Sequence, residues 1–112
     1  MPKIAVREYV SSTGDCPYAR WFDRLDAVAA ARVATATYRL GQGNFSNTKG
    51  VGAGVFETRI DFGPGYRVYF GKDGDLVVIL LGGSAKRDQQ RAIERAKAAW
   101  AEYKARKRAA NK

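Results

Sequence analysis

The run LVVILL, residues 76–81, constrains the fold more than any other stretch of this chain. Successive side chains of a strand point to opposite faces, so a strand with one wet face alternates apolar and polar residues. Six apolar residues without alternation read as a central strand covered on both faces. The run is far too short to cross a bilayer as a helix, which takes about 20 residues. At 112 residues and 46% hydrophobic content, the chain reads as a single domain over residues 1–112 with one core.

Strand patterns lead into this centre. VFETRIDF (55–62) alternates, GPG (63–65) turns the chain, YRVYF (66–70) returns, and Asp73-Gly74 offers a tight hairpin turn. KIAVREYV (3–10) alternates with Ile4, Val6 and Val10 on one side and reads as a first strand. Asp15 or Cys16 caps a short helix with Pro17 in its first turn, followed by Tyr18, Trp21, Phe22 and Leu25 at helical spacing. Asp26 reads as the N-cap of a second helix, with Ala29, Val33, Ala36 and Leu40 on one face and Gly41 and Gly43 at its end. NFSNTKGVGAG (44–54) reads as a loop or weak strand. A last helix over about 87–107 carries Ile93, Ala96, Trp100 and Tyr103 as its apolar stripe. Its basic tail, from about 105 to 112, is expected to fray at the end. The order predicts an α+β fold of an N-terminal strand, two helices, a twisted antiparallel sheet and a C-terminal helix, with the helices packed on one face of the sheet.

Charge narrows the function. The net charge is +9, and residues 84–112 hold 10 basic and 3 acidic residues, so the excess sits at the C-terminal end. Such asymmetry fits either a polyanion or acidic protein partner, or a solubilising helix. There is no histidine and one cysteine, Cys16, which removes the commonest general acid/base and makes a zinc site improbable. A single cysteine also permits no intrachain disulfide, in keeping with a cytoplasmic protein, and the N-terminal MPKIAVREYV has no signal-peptide pattern. GVGAGVF (50–56) is glycine-rich but lacks the Lys-Ser/Thr of a phosphate-binding loop.

Alternation along the hairpin places Phe56, Thr58, Ile60 and Phe62 on one side, with Tyr66, Val68 and Phe70. It places Glu57, Arg59, Arg67 and Tyr69 together on the other, expected to be an open outer surface, with Lys49 and Lys86 able to reach its edges. Arginine offers paired donors to phosphate oxygens, and tyrosine offers a ring for base stacking. Cross-strand ion pairing on an ordinary wet face explains the same residues without a ligand.

The run GVFETRIDFGPGYRVYF, then LLGGSAK followed by Gln89, then Ile93, Ala96 and Trp100, resembles the RelE/ParE superfamily of bacterial type II toxins. It is most similar to the HigB-like addiction module killer subgroup, which CPYARWFDRL and RLGQGNFSNTK also fit. The resemblance is collinear from about residue 4 to 101. It implies a RelE-like fold and a cytoplasmic toxin neutralised by a cognate antitoxin, one with a helix-turn-helix domain through which alone operator DNA is reached. RelE- and HigB-like members cleave mRNA on the ribosome, without metal or other cofactor, by 2′-hydroxyl attack on the adjacent phosphate, and no membrane is involved. Carried over residue by residue, the resemblance makes Arg67, Tyr69, Lys49 and Lys86 the catalytic candidates and Arg59 and Glu57 substrate-binding ones. Arg87 and Arg91 of the last helix are further substrate-binding candidates. Arg67 would stabilise transition-state charge. Lys49 or Lys86 would transfer protons if its pKa fell well below about 10. Arg59 would hold phosphate, and Tyr69 would orient or stack the substrate. Ala92 stands where the subgroup usually has an acidic residue, which puts the antitoxin contact in question. ParE-like members are gyrase poisons, so an inhibitory protein-binding module, or a nucleic-acid-binding module without catalysis, are the alternatives.

Overall fold

The computed structural model describes residues 3–111. Among them the chain forms β1 (Ala5–Glu8), α1 (Pro17–Phe22), α2 (Ala27–Gly41), β2 (Thr48–Gly52), β3 (Val55–Ile60), β4 (Tyr66–Lys72), β5 (Val77–Ala85), a 3-10 turn (Lys86–Asp88) and α3 (Gln89–Ala110). The strands make one sheet in the order β1-β5-β4-β3-β2. The fold is α+β. Strands β2 to β5 form an antiparallel meander, as the turn signals predict. The sheet as a whole is mixed, however, because β1 joins β5 in parallel, from Ala5 opposite Val77 to Glu8 opposite Leu80. β1 reaches β5 only after two helices and three strands, so no tight turn imposes an antiparallel partner.

Caps and patterning explain the local elements. The Asp26 carboxylate accepts the Ala29 amide at 2.9 Å and starts α2. Pro17 opens α1, whose N-cap Cys16 makes no side-chain cap bond. The glycine-rich segment after residue 44 does form a strand, β2, at the sheet edge.

The central run behaves as its lack of alternation demands. Val78 and Leu80 pack with Tyr18, Val33, Leu40, Val68 and Phe70 on one side of the sheet. Ile79 and Leu81 pack with Val55, Tyr69, Ile93, Ala96 and Trp100 on the other. Helices α1 and α2 therefore cover one face and α3 the opposite one, which corrects the expectation of all helices on a single face. An indole packs tightly on each side. Trp100 of α3 lies over Gly71, where a methyl group would stand 2.6 Å from its ring, and Trp21 of α1 lies over Gly83 just as closely.

The helix runs to Ala110, and its last turns are clasped as far as Lys107, while Lys112 of the tail expected to fray lies outside the described residues. Tyr9 donates to Glu102 at 2.8 Å, Arg106 pairs with Glu102 at 3.4 Å, and Arg106 donates to the Val10 carbonyl at 2.7 Å. Tyr103 and Lys107 both donate to Asp73. Asp73 is thus more than a turn residue. The β4–β5 connection is a longer loop, closed by the Asp73 amide on the Val77 carbonyl at 2.9 Å, instead of the two-residue turn that Asp-Gly suggests. Burial, and then donation to a carboxylate, pushes the Tyr9 and Tyr103 phenols up to about 12. The hydrogen bonds from Lys107 and Tyr103 hold the Asp73 carboxyl below its ordinary range.

Two expectations follow. Gly83→Ala should lower unfolding stability in urea by about 1–3 kcal/mol, because the added methyl drives into the Trp21 ring. Because the Asp73 carboxyl titrates lower folded than unfolded, its contribution is complete above the ordinary carboxylate range. It disappears as pH falls through the depressed folded value. Asp73→Asn should therefore flatten the acid limb of a stability-against-pH curve, and an unchanged limb would show the clasp to be inert.

Candidate functional site

Register brings the hairpin residues into two cross-strand rows on the α3 side of the sheet. Lys49 of β2 stands opposite Glu57 of β3, which stands opposite Tyr69 of β4. Arg59 stands opposite Arg67, which stands opposite Ser84 of β5. The alternation had placed Glu57, Arg59, Arg67 and Tyr69 on one face, and they do share it. That face is not open, because the start of α3 lies across it. Gln89 donates its amide to Glu57 Oε1 at 2.8 Å, and Glu57 and Tyr69 are both fully buried.

Glu57 is the centre of the site. Its Oε2 lies 3.5 Å from Arg67 Nε and 3.7 Å from Lys49 Nζ. Both distances exceed an ordinary hydrogen bond, and among the described residues neither Glu57 Oε2 nor Arg67 Nε has a hydrogen-bond partner. A buried carboxylate is tolerable only when charge opposes it, and here two cations do so from β4 and β2. The Arg67 side chain is itself only 9% exposed, while that of Lys49 is 65% exposed. Arg67 Nη1 contacts the Tyr66 carbonyl at 3.4 Å and faces Gly65 beside the Lys86 side chain. The Lys86 amide donates to the Gly65 carbonyl at 2.8 Å, which fixes the segment after β5 against the Gly63-Pro64-Gly65 turn. Lys86 is thereby set beside Arg67, its side chain exposed.

Tyr69 departs from its expected role. Its ring belongs to the core under α3, and its hydroxyl shares a 3.0 Å hydrogen bond with Ser84 Oγ. No base can stack on a ring with no accessible surface. Burial raises the phenol above its ordinary pKa, opposed by the Ser84 bond, so it stays protonated at neutral pH. The remaining candidates scatter. Arg59 is exposed and borders a separate cleft of about 220 Å³ with Arg32 and Arg39 of α2. Arg87 is exposed beside Asp88 at 3.9 Å. Arg91 lines a cleft toward α1 rather than joining the two rows. Cys16 donates to Glu8 at 3.2 Å, and burial pushes its thiol up, away from the thiolate a nucleophile needs.

Two participants escaped the sequence reading. Ser84 carried no pattern that singled it out. Gln89 was noticed only as part of a motif, and its grip on Glu57 depends on where α3 docks. The arrangement can present a guanidinium braced from behind by a carboxylate, flanked by two exposed ammonium groups. Such a set of donors has the charge and the chemistry to hold a phosphate.

The pair at the centre should matter to stability. Glu57→Ala leaves Arg67 buried without its counter-charge and is expected to cost about 3–5 kcal/mol. Tyr69→Phe, which loses only the bond to Ser84, should cost about 1 kcal/mol. Urea titrations of the two variants should differ by at least twofold in the loss of stability.

No family model matches the chain. An uncharacterized protein of Haemophilus influenzae is 42% identical over 78 residues, which cover 69% of this chain and 79% of that protein. Among the described residues no helix is long and apolar enough to cross a membrane. At that identity and coverage the two share an ancestor and a fold, and the chain belongs to the same family as the Haemophilus influenzae protein.

Proposed function

We propose that this chain is the toxin of a type II toxin–antitoxin system, with a RelE-like fold, and that it cleaves mRNA on the ribosome in the cytoplasm. The observation that carries this reading is the pairing of Lys49 and Arg67 with the buried Glu57, with Lys86 set beside Arg67 at Gly65. Three cations on one face suit a phosphodiester whose charge grows during reaction. The 2′-hydroxyl of one nucleotide attacks the adjacent phosphorus and the 5′-oxygen leaves, giving a 2′,3′-cyclic phosphate and a free 5′-hydroxyl. Arg67, braced by Glu57 through Nε, offers its outer nitrogens to the equatorial oxygens. Lys49 and Lys86, both exposed, flank it and are placed to hold the phosphate or exchange a proton with the attacking and leaving oxygens. Arg59 holds a neighbouring phosphate. Tyr69 supports the strand from below and does not meet RNA.

One observation favours a second reading. The uncharged or acidic members of the rows, Glu57, Tyr69 and Ser84, are all buried, which suits a surface that binds without cutting. A non-catalytic nucleic-acid-binding module and a ParE-like gyrase inhibitor both fit that description.

Mapping RNA 5′ ends after induction separates the three. Cleavage predicts new 5′-hydroxyl ends inside translated reading frames. Arg67→Ala is a poor first probe, since it strands Glu57 in the core. Lys86→Ala changes an exposed side chain that pairs with no carboxylate among the described residues and should reduce cleavage by about 100-fold while leaving the melting temperature in place. Intact mRNA with a DNA-damage response would establish the gyrase reading instead, and salt-sensitive RNA binding without new ends would establish the binding module.

A further inference from the structure

The positive charge of α3 divides between two flanks of the helix. On the flank facing Tyr9 and Val10, Arg106 pairs with Glu102 at 3.4 Å and donates to the Val10 carbonyl at 2.7 Å, while Arg91 and Arg95 line the cleft toward α1. The other flank carries Lys97, Lys104 and Arg108, spaced seven and four residues apart, which keeps them on one side of a helix. Lys97 shows what that side faces, because its Nζ would stand 3.2 Å from a methyl group added at Gly52 of β2. None of the three pairs with a carboxylate among the described residues. Glu94, one turn before Lys97, bonds Gln90 at 3.2 Å instead, and Asp73 is occupied by Tyr103 and Lys107.

These cations continue a line that begins at the Glu57 site. Lys49 stands near the start of β2, and Gly52 closes that strand beside Lys97, about 10 Å further along. Helix α3 runs the same way, from Gln89 on Glu57 to Trp100 over Gly54 and Gly71. At the rise of an α-helix, Lys104 follows Lys97 by about 10 Å, and Arg108 follows by about 6 Å more. Lys104 and Arg108 border a cleft of about 330 Å³ that Trp100 and Tyr103 also line, their rings stacked 5.2 Å apart. The Lys104 ammonium lies over the buried Trp100 ring at 5.7 Å. Tyr103 and Lys107 tie this end of the helix to Asp73, so a chain end that would otherwise fray presents its cations from a fixed surface.

We infer that the flank of α3 beside β2 is a track for the phosphates of a single RNA strand, leading from the Glu57 site to the basic end of the chain. The inference rests on the reading that Lys49, Arg67 and Lys86 meet RNA. It extends that reading to Lys104 and Arg108, which lie beyond the toxin resemblance that stops at about residue 101. Lys49, Lys97, Lys104 and Arg108 span about 27 Å in a line one side chain wide, which suits the repeating charge of one strand. An acidic protein fits less well, because protein interfaces centre on apolar anchors, and the large exposed apolar side chains Val10, Val28, Tyr38 and Leu76 all lie outside α3. With Trp100 buried and covered by Lys104, no base stacks on its ring. The track therefore holds phosphates and reads no sequence. It lengthens the bound segment and takes no part in breaking the bond at Arg67.

The test is equilibrium binding of labelled single-stranded RNAs, one of twelve nucleotides and one of three, to the full chain over a range of salt concentrations. The track variant combines Lys97→Gln, Lys104→Gln and Arg108→Gln, which removes the charges and keeps much of each stem. It should bind the twelve-nucleotide RNA at least about tenfold more weakly at about 50 mM salt, and its slope of log affinity against log salt should be shallower by about 2, for three lost phosphate contacts. The three-nucleotide RNA, which reaches only the Glu57 site, should bind the variant and the unaltered chain alike. Lys86→Ala should weaken both RNAs. If the track variant binds the long RNA as the unaltered chain does while Lys86→Ala weakens it, the track is overturned and the reading of the Glu57 site stands. If Lys86→Ala changes neither RNA, the reading of that site fails, and with it the track as its continuation. Displacement of the long RNA by polyglutamate as effectively as by unlabelled RNA would assign the flank to an acidic protein and overturn the proposal equally.

Discussion

A carboxylate with no accessible surface sits at the centre of this molecule, and the arrangement around it follows from the need to compensate its charge. Glu57 draws Arg67 from β4, Lys49 from β2 and Gln89 from α3, so three strands and a helix meet at one side chain. In water these groups would gain little from one another. Inside the fold, removing any one leaves a charge or dipole in a medium that does not solvate it. The pairing is also loose at the Glu57 Oε2 to Arg67 Nε contact, 3.5 Å apart with no hydrogen-bond partner for either atom among the described residues. Such a pair fixes the guanidinium in place without saturating it. Its outer nitrogens are left near the Gly63-Pro64-Gly65 turn and Lys86.

The second organising fact is that both sheet faces are dry. Trp100 lies on Gly71 and Trp21 on Gly83, one indole from each side, and each glycine allows an approach that a side chain would block. Helix α3 is held at both ends, by Gln89 on Glu57 at its start and by Glu102, Tyr103, Arg106 and Lys107 toward its finish. Its docking decides what remains accessible. It buries Tyr69 and Glu57, leaves the rims of the face to Lys49 and Lys86, and, together with α1, frames a cleft over the end of β5.

Much of the fold was legible in the chain. The unbroken run at 76–81 demanded two covers, the Asp26 cap and the Gly-Pro-Gly turn came where their chemistry required, and the apolar stripe of α3 was read at its true spacing. The alternation that placed Glu57, Arg59, Arg67 and Tyr69 on one face was also right, because the two-residue period is a property of the backbone. The parallel pairing of β1 was not legible. Nothing local distinguishes an edge strand that returns parallel from one that returns antiparallel once a long crossover separates the partners. The same is true of Asp73, whose place in a turn concealed its contact with residues 30 and 34 positions away.

By itself the sequence determined the element types, the two faces of each strand, the absence of histidine chemistry and the concentration of positive charge in the last helix. These depend on local geometry and composition alone. Tertiary structure decided which of those faces meets water. The docking of α3 turned an outward row of arginine, glutamate and tyrosine into a buried pair, a buried phenol and a few exposed cations, and β1 came to lie parallel beside β5. Neither outcome is written in any short stretch of residues, because each depends on where a helix or strand distant in the chain comes to lie.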